Sequence, residues 1–331
     1  MTLPADHTPL RRRPARPLGM PARRRPRPVP LAGGTAVALA CCLVAGAGAW
    51  TGLAPLGPGI GRLLAAGAAV AALGLVADVR RIKARLLVGG TAVAAACVVP
   101  YRETGLAGGL LATGWIVFVA VSFKALDHAD ALAGTTGVVT AFAVGACAAA
   151  DLMDGLAVLL SVLAAALTGF LMHNWHPARA ALGASGSLFA GFVLAAAAVH
   201  ARAGQGIAGS VGVLFALTAL STADVLLVVL SRRLAGRPLL RSGPDHLAHR
   251  LRRLGLTPQG VTVLLGLGGF AGVLVGVLAH LGWIAGSGGL WAVAGAVTLG
   301  VVVFALLRIP VYGPRRSVST QVRGQLRVRN G

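Results

Sequence analysis

Acidic residues are scarce in this chain. Its 331 residues hold nine Asp and Glu against 30 Lys and Arg, a formal net charge of +21, and charged residues of both signs make up only 12%. A soluble domain carries roughly 25%. So few charges beside 56% hydrophobic residues and a mean hydropathy of +0.80 exclude a soluble globular protein. Aromatic residues are also few, at 5%, and lie mostly in apolar runs. A basic nucleic-acid binder would set its Arg and Lys on polar, aromatic-bearing surfaces, so no nucleic-acid partner is expected. Charge of one sign on so apolar a chain fits loops held against an anionic membrane surface. The four cysteines, Cys41, Cys42, Cys97 and Cys147, all sit inside apolar stretches, where buried thiols are packing residues. Neither a disulfide framework nor a metal spacing follows from them.

What the chain has in abundance is long apolar runs. Ten occur, near 31–53, 59–77, 86–100, 107–123, 132–149, 155–172, 183–200, 206–230, 261–282 and 287–308. A bilayer core of about 30 Å needs about 20 such residues of helix, and only the third run is short. The reading is an all-α, polytopic integral membrane protein with about ten transmembrane helices. An Arg/Pro-rich tail over 1–30, expected to be disordered, precedes a membrane domain over 31–308, and a basic tail follows over 309–331. An Arg-rich start before an apolar run also begins a signal peptide or a lipoprotein signal ending at Cys41. Ala38 sits where a lipoprotein signal prefers Leu, however, and 31–53 is long enough to span.

Ten crossings place both termini on one side, and the basic residues test that threading, because Lys and Arg stay cytoplasmic. On it, 27 of the 30 fall in the two tails, at Arg308 where the second begins, and in loops near 78–85, 124–133, 172–187 and 231–260, leaving only Arg62, Arg102 and Arg202 opposite. A missed span would invert every later loop, so both termini are expected in the cytoplasm. The 47 glycines suit helices packed closely in lipid.

The polar residues of the cytoplasmic side are the candidates for chemistry. Asp127 and Asp130 are three apart and share a helical face; such a pair can hold Mg²⁺ with a diphosphate, or can be a helix cap with a solvated partner. Asp224 lies inside a span, which makes it a functional candidate or the structural partner of a nearby Arg. The loop Asp245-His246-Leu-Ala-His249-Arg250 is the densest polar cluster. Its histidines and Arg250 could neutralise phosphate oxygens, or the loop could lie on lipid headgroups. Its spacing offers no third and fourth ligand for zinc. The helix starting near Gly183 offers free backbone N–H groups to a phosphate, although Ser and Gly there are also ordinary caps.

In order along the chain, these segments resemble the polyprenyl-phosphate sugar-1-phosphate transferases of glycosyltransferase family 4, which include undecaprenyl-phosphate N-acetylglucosamine-1-phosphate transferase and phospho-N-acetylmuramoyl-pentapeptide transferase. Pro28 to Gly34 is similar to that family's Pro-x-x-Gly-Gly, and Gly74-Leu-Val-Ala77-Asp78 to its Gly-Leu-x-Asp-Asp. Lys124 to Ala133 is similar to Asn-x-x-Asp-Gly-x-Asp-Gly-Leu-Ala. Gly169 to Arg179 and Gly183 to Ser187 are similar to Gly-Phe-Leu-x-x-Asn-x-x-Pro-Ala-Arg and Met-Gly-Asp-x-Gly-Ser. Asp224 with the histidine loop is similar to one branch of the family. The motifs cover about 220 residues.

The resemblance implies a reaction in cell-envelope glycan assembly, in which a polyprenyl phosphate attacks the diphosphate of a UDP-N-acetylhexosamine, takes its sugar-1-phosphate and releases UMP. It implies Mg²⁺ as cofactor, a cell-membrane enzyme with its site on the cytoplasmic face, and compatibility with a homodimer. By the same resemblance Asp78, Asp127, His246 and His249 are catalytic, with Asp78 and Asp127 beside the metal, and Asp130, Asn174, Arg179, Ser185, Ser187 and Arg250 bind substrate. The chain departs from the pattern where Ala77 and Lys124 replace an Asp and an Asn, Ala131 replaces a Gly, and Ala184 replaces the principal Mg²⁺ ligand. These departures leave open a silent homologue that only binds polyprenyl phosphate or nucleotide sugar. Family members usually begin with one more span, which suggests a truncated or misassigned start. Asp154-Gly-Leu-Ala157 imitates the Asp-Gly-Leu-Ala ending but is expected on the outer side.

Overall fold

The computed structural model describes residues 32–80, 82–238, 243, 245–284, 305, 307 and 308. Every element in them is an α-helix: α1 (Ala32–Trp50), α2 (Gly57–Val79), α3 (Ala84–Val98), α4 (Tyr101–Leu126), α5 (Leu132–Ala150), α6 (Asp154–Asn174), α7 (Gly183–Ala201), α8 (Gly206–Leu217), α9 (Ala219–Leu234), α10 (Leu247–Arg253) and α11 (Pro258–His280). Seven of them, α1, α2, α4, α5, α6, α7 and α11, are long and apolar enough to cross a membrane. The protein is thus all-α and multi-pass. The short third run is α3, at 15 residues. The run at 206–230 differs from expectation, because α8 and α9 meet at an 84° bend rather than forming one straight span. The bend falls at Thr218, whose hydroxyl donates back to Leu214 O at 2.8 Å. The tenth run except 305, 307 and 308, both tails and the Pro28–Leu31 part of the first motif lie outside the described residues.

Helix α7 is the axis of the bundle. Nearly all its residues are buried, with α2, α4, α1 and α5 packed round it. The sequence explains the closeness. A side chain on Gly34 of α1 would put its Cβ 1.9 Å from Leu182 O, and one on Gly74 of α2 would meet Ala184 O at 2.5 Å. Both helices therefore touch the start of α7 backbone to backbone, the contact that small residues permit in lipid. Asp78, four residues beyond Gly74 and so on the same helical face, is carried to the N-terminus of α7.

The same register gathers the ends of the other helices. Helices α2, α4 and α6 end where α5, α7 and α11 begin, tied there by Asp78 to Ala184, Asp127 to Gly183, Asn174 to Ala131 and Thr262 to Asp130. At the far end Asp151, after α5, meets His280 of α11 at 3.1 Å, and Arg202, after α7, reaches the same His280 at 3.2 Å. Asp154 opens the 21-residue α6 that Asn174 closes, so it stands about 30 Å from Asn174 at 1.5 Å per residue. The motif that imitates Asp-Gly-Leu-Ala is separated from the others by the length of the bundle.

Candidate active site

Two acids cap α7. Leu182 precedes that helix and has no side chain to cap it, so the first N–H groups need outside acceptors. Asp78 accepts from Ala184 N at 2.8 Å and Ser185 N at 3.0 Å, and Asp127 accepts from Gly183 N at 2.8 Å. Gly183 is in the left-handed region at φ 64°, and a Cβ there would lie 2.7 Å from Asp78 Oδ2. Only glycine lets the carboxylate so close. Burial raises the Asp127 carboxyl to about 6; the N–H groups of Gly183 and Leu182 and the charge of Lys124 oppose that rise, while the charge of Asp78 adds to it. The pair thus faces one another across the helix terminus.

The turn between α4 and α5 is clamped by Asn174. Its Oδ1 accepts from Ala131 N at 2.8 Å and its Nδ2 donates to Ala180 O at 2.7 Å. Ala131 sits at φ 62°, a conformation that costs a non-glycine residue about 1–2 kcal/mol, which is the physical reason a Gly suits that position. Asp130 turns outward. Its Oδ2 lies 2.6 Å from His176 Nδ1, both side chains being about one third exposed, and accepts from Ala178 N at 3.3 Å.

A second cluster abuts this turn. Asp224, fully buried, accepts from Leu247 N at 2.8 Å through Oδ1 and pairs with His246 Nδ1 at 2.8 Å through Oδ2. This fixes the start of α10. His246 stacks on His128 with ring centroids 4.0 Å apart, and His249 lies 5.1 Å from His128. Burial, then the neighbouring His246, push the His128 imidazole down to about 4. Burial followed by His246 and Arg252 lowers His249 as well. Behind them Arg232 Nε donates to Asp245 Oδ2 at 2.8 Å, and Arg250 donates to Ser231 Oγ at 2.6 Å and Asp245 O at 3.1 Å.

The expected site residues therefore gather at one end of the bundle but divide in orientation. Asp78, Asp127, Asp130, Arg179 and His249 keep solvent-facing surface. Asn174, Ser185, Ser187 and Arg250 are buried, with their polar atoms committed inside the protein. Ser185 Oγ donates to Ala71 O at 3.0 Å, and Ser187 Oγ to Gly183 O. Their geometry is that of residues that position the site. His128 is the member that sequence reading passed over. The signal was there: an imidazole next to Asp127, where the similar loop pattern carries Gly.

The carboxylates that could hold Mg²⁺ at this end are Asp78 and Asp127. Position 184, buried at the first turn of α7, offers a methyl group and its N–H. A carboxylate has about four lone-pair sites, so two acids that each accept from backbone N–H can still share a cation, and Mg²⁺ commonly takes one or two carboxylates plus substrate oxygens. The residues present thus fit an ion that arrives with a diphosphate, with one protein ligand fewer.

The glycosyl transferase family 4 pattern matches residues 61–202, the stretch holding Asp78, Asp127, Asp130, Asn174 and the start of α7. A Streptomyces coelicolor protein named "Putative glycosyltransferase" is 64% identical over 307 residues, covering 93% of this chain and 74% of that protein. The decaprenyl-phosphate N-acetylglucosaminephosphotransferase of Mycobacterium tuberculosis is 30% identical over 244 residues, 62% of this chain and 60% of that one. The phospho-N-acetylmuramoyl-pentapeptide-transferase of Symbiobacterium thermophilum is 35% identical over 173 residues, 52% of this chain and 49% of that one. The chain thus spans only 60% and 49% of the lengths of these last two relatives. With a matched stretch that contains the capped end of α7, and a relative so similar over nearly the whole chain, the protein belongs to glycosyl transferase family 4.

Proposed function

We propose that this protein transfers a sugar-1-phosphate from a UDP-N-acetylhexosamine to a polyprenyl phosphate, releasing UMP, at a site on the cytoplasmic face of the cell membrane. The observation that carries this reading is the convergence of Asp78, Asp127 and the N-terminus of α7 beside Asp130 and the histidine cluster. The side of the membrane is supported by 27 of 30 Lys and Arg residues falling with the site on the threading above.

Asp127 is placed to take a proton. Its carboxyl, near 6, matches the second ionisation of a phosphate monoester, also about 6. Transfer from the lipid phosphate to Asp127 is then nearly thermoneutral, the condition that favours general-base catalysis. The freed lipid oxygen bonds to the sugar-bearing phosphorus, the bond from that phosphorus to the bridging oxygen breaks, and UMP leaves. Mg²⁺ held chiefly by Asp78, so that the Asp127 carboxyl keeps its affinity for a proton, would offset diphosphate charge in that step. The exposed Lys124 and Arg179 add positive charge at the same mouth. Asn174 keeps the Asp127–Ala131 turn in place through its two backbone bonds.

The silent-homologue reading has a specific observation in its favour: Ala184 gives the site no third carboxylate, and Asp78 is already engaged by two N–H groups. Both readings meet one experiment. The purified protein in detergent is given undecaprenyl phosphate, Mg²⁺ and a mixture of UDP-N-acetylhexosamines, with Asp127→Ala beside it. The transferase reading expects UMP release that Asp127→Ala abolishes. Folded protein that binds nucleotide sugar or lipid and releases no UMP would establish the silent homologue instead.

A further inference from the structure

We propose that His128, His246 and Asp224, with His249 at the rim, form a binding site for a divalent transition metal of the zinc type, separate from any magnesium held by Asp78 and Asp127. The three come from different parts of the chain, the turn after α4, the cap of α10 and the body of α9, so no local spacing reveals them. Each offers one ligand atom, and these atoms lie within 4.8 Å of one another. Four ligands at the usual zinc distances of about 2.0–2.1 Å stand about 3.3 Å apart. Contraction of about 1.5 Å at most closes the set, within the reach of an imidazole that pivots on a turn.

The hydrogen bonds prepare the imidazoles for an ion. His128 Nδ1 lies 2.7 Å from Ala125 O, an acceptor only, so Nδ1 carries the proton and Nε2 keeps its lone pair. That Nε2 is shut off from solvent and has no hydrogen-bond partner among the described residues. A buried polar atom left so calls for an explanation, and an absent ion supplies one. Asp224 Oδ2 and His246 Nδ1 lie 2.8 Å apart, and an ion bound here would replace their hydrogen bond with one metal bond from each. The negative charge of Asp224, 0% exposed, lies where a cation would offset it.

The donor chemistry sets the class of ion. Two imidazoles and a carboxylate, with a third imidazole 5.1 Å from the first, suit zinc, copper, nickel or cobalt, whereas magnesium prefers oxygen. The rim His249 stands outside the set whose ligand atoms lie within 4.8 Å of one another, which makes it the weaker ligand. The inference stands apart from the transferase reading, since it concerns binding alone.

The test uses the full chain in detergent, purified on a tag without histidine and stripped with chelator. Zn²⁺ alone is added, excess is removed by gel filtration, and retained metal is counted. About one ion per chain is expected, and Co²⁺ in its place should give the intense visible absorption of a low-symmetry nitrogen site. His128→Gly, which installs the residue the similar loop pattern carries, should lower affinity at least tenfold while helix content and metal-free thermal stability hold; His249→Gln should lower it less. Wild-type protein that retains no Zn²⁺ and gives no Co²⁺ band overturns the proposal. So does His128→Gly that binds as the wild type. Should that variant fail to fold, the wild-type Co²⁺ spectrum still decides.

Discussion

The two halves of the site meet the same problem, buried charge, by opposite means. On the α7 side, Asp78 and Asp127 are held by backbone N–H groups of a helix terminus, where a carboxylate meets the positive end of the dipole. On the α10 side, charge is held by other side chains: Asp245 by Arg232 and Ser231, Asp224 by His246. Backbone donors cannot be mutated away, so the α7 half can lose a side chain, as at Ala184, and keep its frame. The α10 half depends on its paired members, Asp224 with His246 and Asp245 with Arg232. Substitutions there are expected to act on folding, and substitutions in the α7 half on turnover.

The largest expected effect is at Asp245. It is fully buried, and Asp245→Ala removes the carboxylate that Arg232 Nε donates to, a loss of about 3–5 kcal/mol for a broken buried pair. Thermal unfolding in detergent should show it, and an unchanged midpoint would mean that the pair is solvated. Next comes Asp127→Asn. It preserves the contact with Gly183 N but removes the proton acceptor, so UMP release should fall about 10²–10⁴-fold with thermal stability nearly unchanged. If stability falls instead, the contrast between the halves fails.

Smaller effects sharpen the α7 side. With the Asp127 carboxyl near 6 and its ionised form required, the rate should rise tenfold per pH unit up to about 6 and then level. Lys124 holds that value down, so Lys124→Ala should move the acid limb to higher pH. A limb that stays in place would remove Asp127 from the proton step. Ala184→Asp returns a carboxylate to the first turn of α7, where the helix dipole favours it. The Mg²⁺ needed for half-maximal rate should then drop several-fold.

These contrasts also mark what the sequence could and could not tell. The apolar runs predicted α1 to α7 and α11, because a helix in lipid must satisfy its own backbone and so declares itself by length. They missed the 84° bend at Thr218, since the apolar run continues from one arm into the other and nothing local marks the break. The ordered motifs located Asp78, Asp127, Asp130 and the histidine loop, and all of them share one end of the bundle. They did not show that Arg250 and Asn174 turn inward, which depends on partners from other helices: Ser231 on α9 and Ala131 at the start of α5. His128 escaped for the same reason, its cluster partners Asp224, His246 and His249 being about 100–120 residues away in sequence.

The smallest effect concerns Ala131, where sequence and backbone disagree most openly. At φ 62° the alanine bears about 1–2 kcal/mol of steric strain. Glycine removes that strain but gives the unfolded chain more freedom to lose, about 0.4–1 kcal/mol. The difference favours Ala131→Gly by about 0.5–1 kcal/mol, a rise in unfolding midpoint of about 1–3 °C for a protein of this size. The N–H of residue 131 would still reach Asn174, so the turn and Asp127 would stay in place and the rate should not change. A midpoint that falls would mean that the Cβ of Ala131, 2% exposed, contributes more by packing than the backbone loses by strain. The Asn174 clamp would then rest on the side chain at 131 as well as on its N–H, and the α7 half would depend on side chains more than its helix caps suggest.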